Sequence, residues 1–160
     1  MNPNPKPGRP AESSALDRDF VTVMIEKQLF GIPVLQVRDV LGPQRITRVP
    51  LSPQQIAGVL NLRGRIVTAI NVRQCLNLPP YAGDRGGMSV VIEHHGELYS
   101  LMIDSVGEVL SLREDAFEAN PPTLNPRWRE VSNGIYRLEA ELLVILDVDR
   151  LLATIRAVAA

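Results

Sequence analysis

Residues Gly58 to Leu76 read GVLNLRGRIVTAINVRQCL, and residues Gly134 to Leu152 read GIYRLEAELLVILDVDRLL. Gly, two Leu and one Val are identical between the two stretches, and most other apolar positions stay apolar. A second pair of blocks precedes them in the same order. LFGIPVLQVRDVL, Leu29 to Leu41, lies over LYSLMIDSVGEVL, Leu98 to Leu110, with Leu, Val, Val and Leu identical and Phe/Tyr, Ile/Leu, Val/Ile and Asp/Glu alike in kind. The blocks are further apart in the second copy, and the extra residues fall in the Pro-rich stretch Glu118 to Pro126. Such self-similarity marks a duplicated unit, here of about 60 to 70 residues, a size at which small domains fold.

Each copy reads as strands. FVTVMI, EKQ and LFGIPV predict a hairpin in the first copy, and SVVIEHHGELYSLMI predicts its counterpart around Gly96. NLRGRIV places Arg63-Gly64 at the centre of a short turn, where Gly64 can take a positive φ. The matching turn, Glu139-Ala140, lacks Gly and is expected to be looser or differently shaped. Ser52-Pro53-Gln54-Gln55 reads as a short helical turn, with Ser as N-cap, Pro at the first position and Gly58 as its end. Near the C-terminus Asp147 caps a predicted helix over about 148–158, whose Val148, Leu151, Leu152 and Ile155 share one face and pack on a barrel end. Short, evenly spaced strands in two similar units give an all-β fold of paired small barrels, with halves at about 16–82 and 88–152.

Outside the repeat, Met1 to Ala15 carries Pro3, Pro5, Pro7 and Pro10 and no large apolar side chain after Met1, which predicts a disordered tail. Gly83 to Gly87, GDRGG, reads as a flexible linker between the copies. No apolar run approaches the roughly 20 residues of a membrane helix, and the first residues form no secretory h-region, so the cytoplasm is the expected compartment. The chain has 17 Lys plus Arg against 18 Asp plus Glu, a net charge of −1. That balance disfavours a protein whose main task is holding phosphates. Aromatics are only 4 % of residues, so the core has to be built from Val, Leu and Ile.

Chemistry-bearing residues are few. No phosphate-loop, nucleophile-elbow or zincin motif occurs, and no Cys and His cluster has metal-ligand spacing, so an enzyme, a cofactor and a metal are not expected. His94 and His95 are the only histidines. Adjacent in a strand, they would point to opposite faces and could not ligate one metal together. The single Cys75 aligns with Leu151 at an apolar helical position and reads as a small core residue. Glu114-Asp115 and Glu139 to Glu141 read as solvated acidic faces. Arg63 beside Gly64 can reach across to Asp39 or to a partner carboxylate, although as a turn residue it is by default a solvated cation. Glu139 and Glu108 occupy the equivalent places in the second copy, so only the first can form an acid and base pair there.

FGIPVLQVRDVL, SPQQIAGVLNLRGRIV with INVR after it, and YSLMIDSVGEVLSL together resemble the CheW family of chemotaxis adaptor proteins. The resemblance runs from about Phe20 to Leu152, and GVLNLRG, Gly58 to Gly64, is its most specific part. It implies two SH3-like five-stranded barrels and a non-enzymatic role joining methyl-accepting receptors, through their cytoplasmic hairpin tip, to the regulatory domain of the histidine kinase CheA, with recruitment to receptor arrays. Carried over position by position, it places Arg63 and Asp39 as a partner-binding pair, bordered by Val37, Gly58, Gly64, Val90 and Val109. Asp39, Thr68, Asn71 and Ser100 stand where the family usually has Glu, Pro, Asp and Gly. Asp39 is one methylene shorter than Glu, so the barrel geometry or a bridging water must bring it to Arg63.

A reading from another class is a small barrel that binds RNA or ribosomes, resting on the basic cluster Arg38, Arg45, Arg48, Arg63, Arg65 and Arg73. Against it stand the net charge and the shortage of aromatics to stack bases.

Overall fold

The structure, a computed structural model, describes residues 17–80 and 87–159. The expected tail, and the linker up to Gly86, lie outside the described residues. The strands are β1 (Asp17–Ile25), β2 (Gln28–Pro33), β3 (Val37–Leu41), β4 (Ile56–Leu62), β5 (Arg65–Asn71), β6 (Met88–His94), β7 (Glu97–Ile103), β8 (Ser105–Arg113), β9 (Ser132–Arg137) and β10 (Leu142–Leu146). Helices are α1 (Val72–Cys75), α2 (Pro126–Glu130) and α3 (Val148–Ala159). The duplication is plain in this order, since β1 to β5 and α1 recur as β6 to β10 and α3.

The strands form two five-stranded sheets, ordered β8-β1-β2-β10-β9 and β3-β6-β7-β5-β4. The predicted all-β pair of barrels is present, but its boundaries differ from the sequence halves. Each barrel takes the first hairpin of one copy and the last three strands of the other, so 16–82 and 88–152 are not the two barrels. The exchange follows from pairing: β1 lies antiparallel to β8, and β6 to β3, while β2 runs parallel to β10 and β7 to β5.

Each sheet closes on itself at one seam. Thr47 and Val59 bridge the ends of one barrel, Glu118 and Ile135 the ends of the other, each through a pair of backbone hydrogen bonds. Gly58 and Gly134 stand beside these seams with φ of 150° and 159°. A Cβ on Gly58 would collide with the Thr47 carbonyl oxygen, so the seam admits no side chain there.

Three cores follow. Leu60, Val67, Ala69, Val91 and Leu98 fill one barrel, and Phe20, Tyr136, Leu143 and Ile145 the other. A larger cluster, including Val23, Phe30, Ile70, Ile92, Leu101 and Val144, joins both sheets to α1, α2 and α3. Central strands are thus apolar on both faces, which accounts for the Val, Leu and Ile content. Cys75 lies buried in this shared core, as its repeat position predicts, and burial pushes its thiol up to about 11.

Hairpins β1-β2, β4-β5 and β6-β7 turn through two residues with positive φ, at Glu26-Lys27, Arg63-Gly64 and His95-Gly96. The Gly-free counterpart between β9 and β10 is a wider connection closed by the Leu138 N–H donating to the Glu141 carbonyl, as expected. α3 also matches its prediction: Asp147 Oδ1 accepts from the Arg150 N–H, and Val148, Leu151, Leu152 and Ile155 are buried. Ser52 to Gln55 is no helix. Ser52 Oγ donates back to the Val49 carbonyl, and Gly58 lies inside β4 rather than ending a turn, because the Thr47–Val59 seam commits the chain to a strand from Ile56.

Candidate functional site

β3 and β4 are opposite edges of one sheet, and barrel closure brings them together. Arg63, first residue of the β4-β5 turn, reaches across with its Nη1 2.8 Å from Asp39 Oδ2 on β3. The shorter acid therefore meets the base directly, with no water needed. Asp39 Oδ2 is closed off from solvent, and the Arg63 guanidinium lies against it as an ion pair. The Arg63 guanidinium, followed by the N–H of Val40, keeps the Asp39 carboxyl below its ordinary range. Asp39 is 22 % exposed and Arg63 75 %, so the cation is anchored at one nitrogen and presented outward. Gly64 sits exposed at the same turn, where a Cβ would meet open space.

The other carried-over residues divide. Val37 is half-buried and packs against the shared core. Gly58 is buried at the seam. Val90 is wholly buried in β6, paired with Val40 and Leu101, so it shapes this face only from beneath. Val109 is 57 % exposed, on edge strand β8 of the other barrel. Asp39, Arg63 and Gly64 therefore form one surface group and Val109 belongs to another.

The sequence reading missed several exposed apolar side chains: Val40, next to Asp39 in the chain, Ile66, which follows the Arg63-Gly64 turn, and Leu35, Val49 and Leu51. The signal was available for Ile66: β5 buries Val67 and Ala69, and alternation turns Ile66 outward.

Half of the basic cluster is paired or drawn inside, while Arg45, Arg48 and Arg65 stay exposed. Arg38 pairs with Glu93 at 2.9 Å and Arg63 with Asp39. Arg73 is drawn inside: its Nε and Nη2 donate to Asp104 at 2.8 and 2.7 Å, and Nη1 lies 3.1 Å from Glu26 and donates to the Pro79 carbonyl. Asp104 also accepts from the Glu26 N–H, fastening a turn whose two residues, Glu26 and Lys27, both carry a strained positive φ. Burial alone would raise the Asp104 carboxyl, but these hydrogen bonds outweigh it and hold the carboxyl low. This cluster ties the hairpin of one copy to the β7-β8 corner of the other. Of the family departures, Asn71 still caps α1, its Oδ1 accepting from the Gln74 N–H as an Asp would.

His94 and His95 differ from expectation. His95 occupies the turn with φ of 53°, which ends the strand alternation and brings the two rings to 4.0 Å, both on the side of Asp149.

A protein-family model described as the CheW-like domain matches residues 19–156. Among curated proteins, the chain is 28 % identical to the chemotaxis protein CheW of Bacillus subtilis over 83 % of its own length and 85 % of the relative's. It is 26 % identical to the chemotaxis protein CheW of Klebsiella aerogenes over 86 % of its length and 82 % of the relative's. Among solved structures, the scaffolding protein TtCheW from Thermoanaerobacter tengcongensis superposes with a TM-score of 0.72 at 24 % identity, covering 81 % of this chain and 88 % of that one.

Proposed function

The chain belongs to the CheW-like domain family, and from that premise we propose that it is a non-enzymatic adaptor coupling methyl-accepting chemoreceptors to the histidine kinase CheA in chemotactic signalling. The observation that carries this reading is the family match across both barrels, residues 19–156. Its chemistry is recognition. Arg63, held at one end by Asp39, offers a preoriented cation to a partner carboxylate, and the exposed Val40 and Ile66 beside it supply apolar contact area. Val37, Gly58, Gly64 and Val90 support that face, while Val109 on the second barrel lies on a separate surface, so kinase and receptor hairpin tip dock on different barrels' faces. No described helix is long and apolar enough to cross a membrane; recruitment to receptor arrays comes from the partners.

The test is a calorimetric titration of the chain with the regulatory domain of its cognate CheA and, separately, with a receptor hairpin fragment. Micromolar binding to both is expected. No binding by partners verified as folded would refute coupling while leaving the fold untouched.

A further inference from the structure

We propose that His94, His95 and Asp149 form a binding site for a borderline divalent cation of the Zn²⁺ class. His94 ends β6, His95 opens the following turn, and Asp149 is in the first turn of α3. His94 Nε2 lies 2.7 Å from Asp149 Oδ1, and His95 Nε2 lies 3.8 Å from the same oxygen. One donor atom from each residue falls within 4.8 Å of the other two.

The second observation is the state of His94. Its side chain is only 12 % exposed, and Nε2 is shut off from solvent without a hydrogen-bond partner. The short approach to Asp149 is misdirected for a hydrogen bond, so a buried ring nitrogen and a carboxylate oxygen face each other without a proton well placed between them. A cation at their meeting point would satisfy both. Zn–N and Zn–O distances are about 2.0–2.2 Å in tetrahedral geometry, so binding needs the His94–Asp149 pair to open by a few tenths of an ångström from 2.7 Å and the His95 ring, 79 % exposed, to rotate inward from its edge-on packing against His94.

The donor set selects the metal. Two imidazoles and one carboxylate suit Zn²⁺, Ni²⁺ or Cu²⁺, whereas Mg²⁺ and Ca²⁺ require oxygen ligands. Three protein ligands leave a coordination position for water or for a donor from outside. His94 and Asp149 also line a cleft of about 400 Å³ bounded by Phe20, Tyr136 and Asn133, so the ion would sit in the wall of a cavity able to admit such a donor. Bound there, it would tie the β6-β7 hairpin of one barrel to the helix that closes the shared core.

The experiment takes the full chain, stripped with a chelator, and titrates it calorimetrically with Zn²⁺ and with Mg²⁺, alongside His95→Ala and Asp149→Asn. Both substituted residues are largely exposed, so the apo variants should keep the parent's circular dichroism and melting temperature. Expected is one Zn²⁺ per chain with micromolar affinity, no response to Mg²⁺, a raised melting temperature, and affinity weakened about tenfold or more in each variant. Co²⁺ in place of Zn²⁺ should show absorption bands of nitrogen and oxygen ligation without a thiolate band. Absence of saturable Zn²⁺ binding, unchanged affinity in both variants, or a thiolate band implicating Cys75 would each overturn the proposal.

Discussion

Replacing Asp104 by Asn tests whether the Arg73 cluster is what locks one copy of the repeat into the barrel of the other. Asp104 and Arg73 are each only 11 % exposed and joined by two hydrogen bonds at 2.7 and 2.8 Å. An Asn of the same shape removes the charge, sets an amide donor against guanidinium donors, and deprives the strained Glu26 turn of a charged acceptor. Breaking a buried ion pair from one side costs about 3–5 kcal/mol. Here Glu26 at 3.1 Å, itself 43 % exposed, remains as partial compensation and admits solvent, which favours the lower end, about 3 kcal/mol. Urea unfolding followed by fluorescence of Trp128, the only Trp and buried edge-on against Phe30 in the shared core, reports the loss. pH supplies a second readout. Because the folded carboxyl is held below its ordinary value, its stabilisation is present above the usual carboxylate range and fades as pH falls through the lowered value. The Asn variant should lack that part of the acid sensitivity. A midpoint within error of the parent, with unchanged slope and pH profile, would refute the assignment.

Arg63→Glu should leave the urea midpoint near that of the parent, since the guanidinium is three-quarters exposed, while weakening calorimetric binding of the CheA domain or the receptor hairpin by about tenfold or more; unaltered binding to both would remove Arg63 from the partner surface. Gly58→Ala should destabilise by about 3 kcal/mol or more, because its Cβ meets the Thr47 carbonyl, whereas Gly64→Ala, with open space around it, should cost about 1 kcal/mol for its positive φ; equal urea midpoints would contradict the seam. Native Cys75, buried and with its thiol raised to about 11, should react with a thiol reagent at pH 8 only as fast as the core opens, orders of magnitude slower than in urea.

What could be read without coordinates was whatever local pattern decides. The hairpins at Glu26-Lys27 and His95-Gly96, the α3 stripe and the core place of Cys75 each depend on residues close in sequence. The exchange of strands does not. β3 and β8 are repeats of one another, so β1 could pair with either on pattern alone, and only three-dimensional closure selects β8. Ser52 to Gln55 failed for a related reason, since a capping pattern within one turn was overridden by the distant pairing of Thr47 with Val59. Arg73 looked like a member of a basic face because its two carboxylate partners, Glu26 and Asp104, are remote in the chain. The His94 and His95 juxtaposition was accessible: a Gly at position 96 signals a two-residue turn in which His95 no longer follows strand alternation.

The strand exchange bears directly on how an adaptor of this shape would work. Were each copy its own barrel, the two would meet at an interface of ordinary size and could rock about the linker between them. Instead every barrel contains strands from both copies, and Val23, Phe30 and Ile32 of one sheet share a single core with Ile70, Ile92 and Leu101 of the other. Rotating one barrel against the other would shear that core and pull the Arg73 cluster apart, so the Arg63 face and the Val109 face are held at a fixed separation and angle. On the proposed adaptor reading, a partner bound at one face would find the second already placed. Coupling by this chain would then rest on rigid positioning of two partners, and substitutions that loosen the shared core without touching either face should weaken simultaneous binding more than binding to either partner alone.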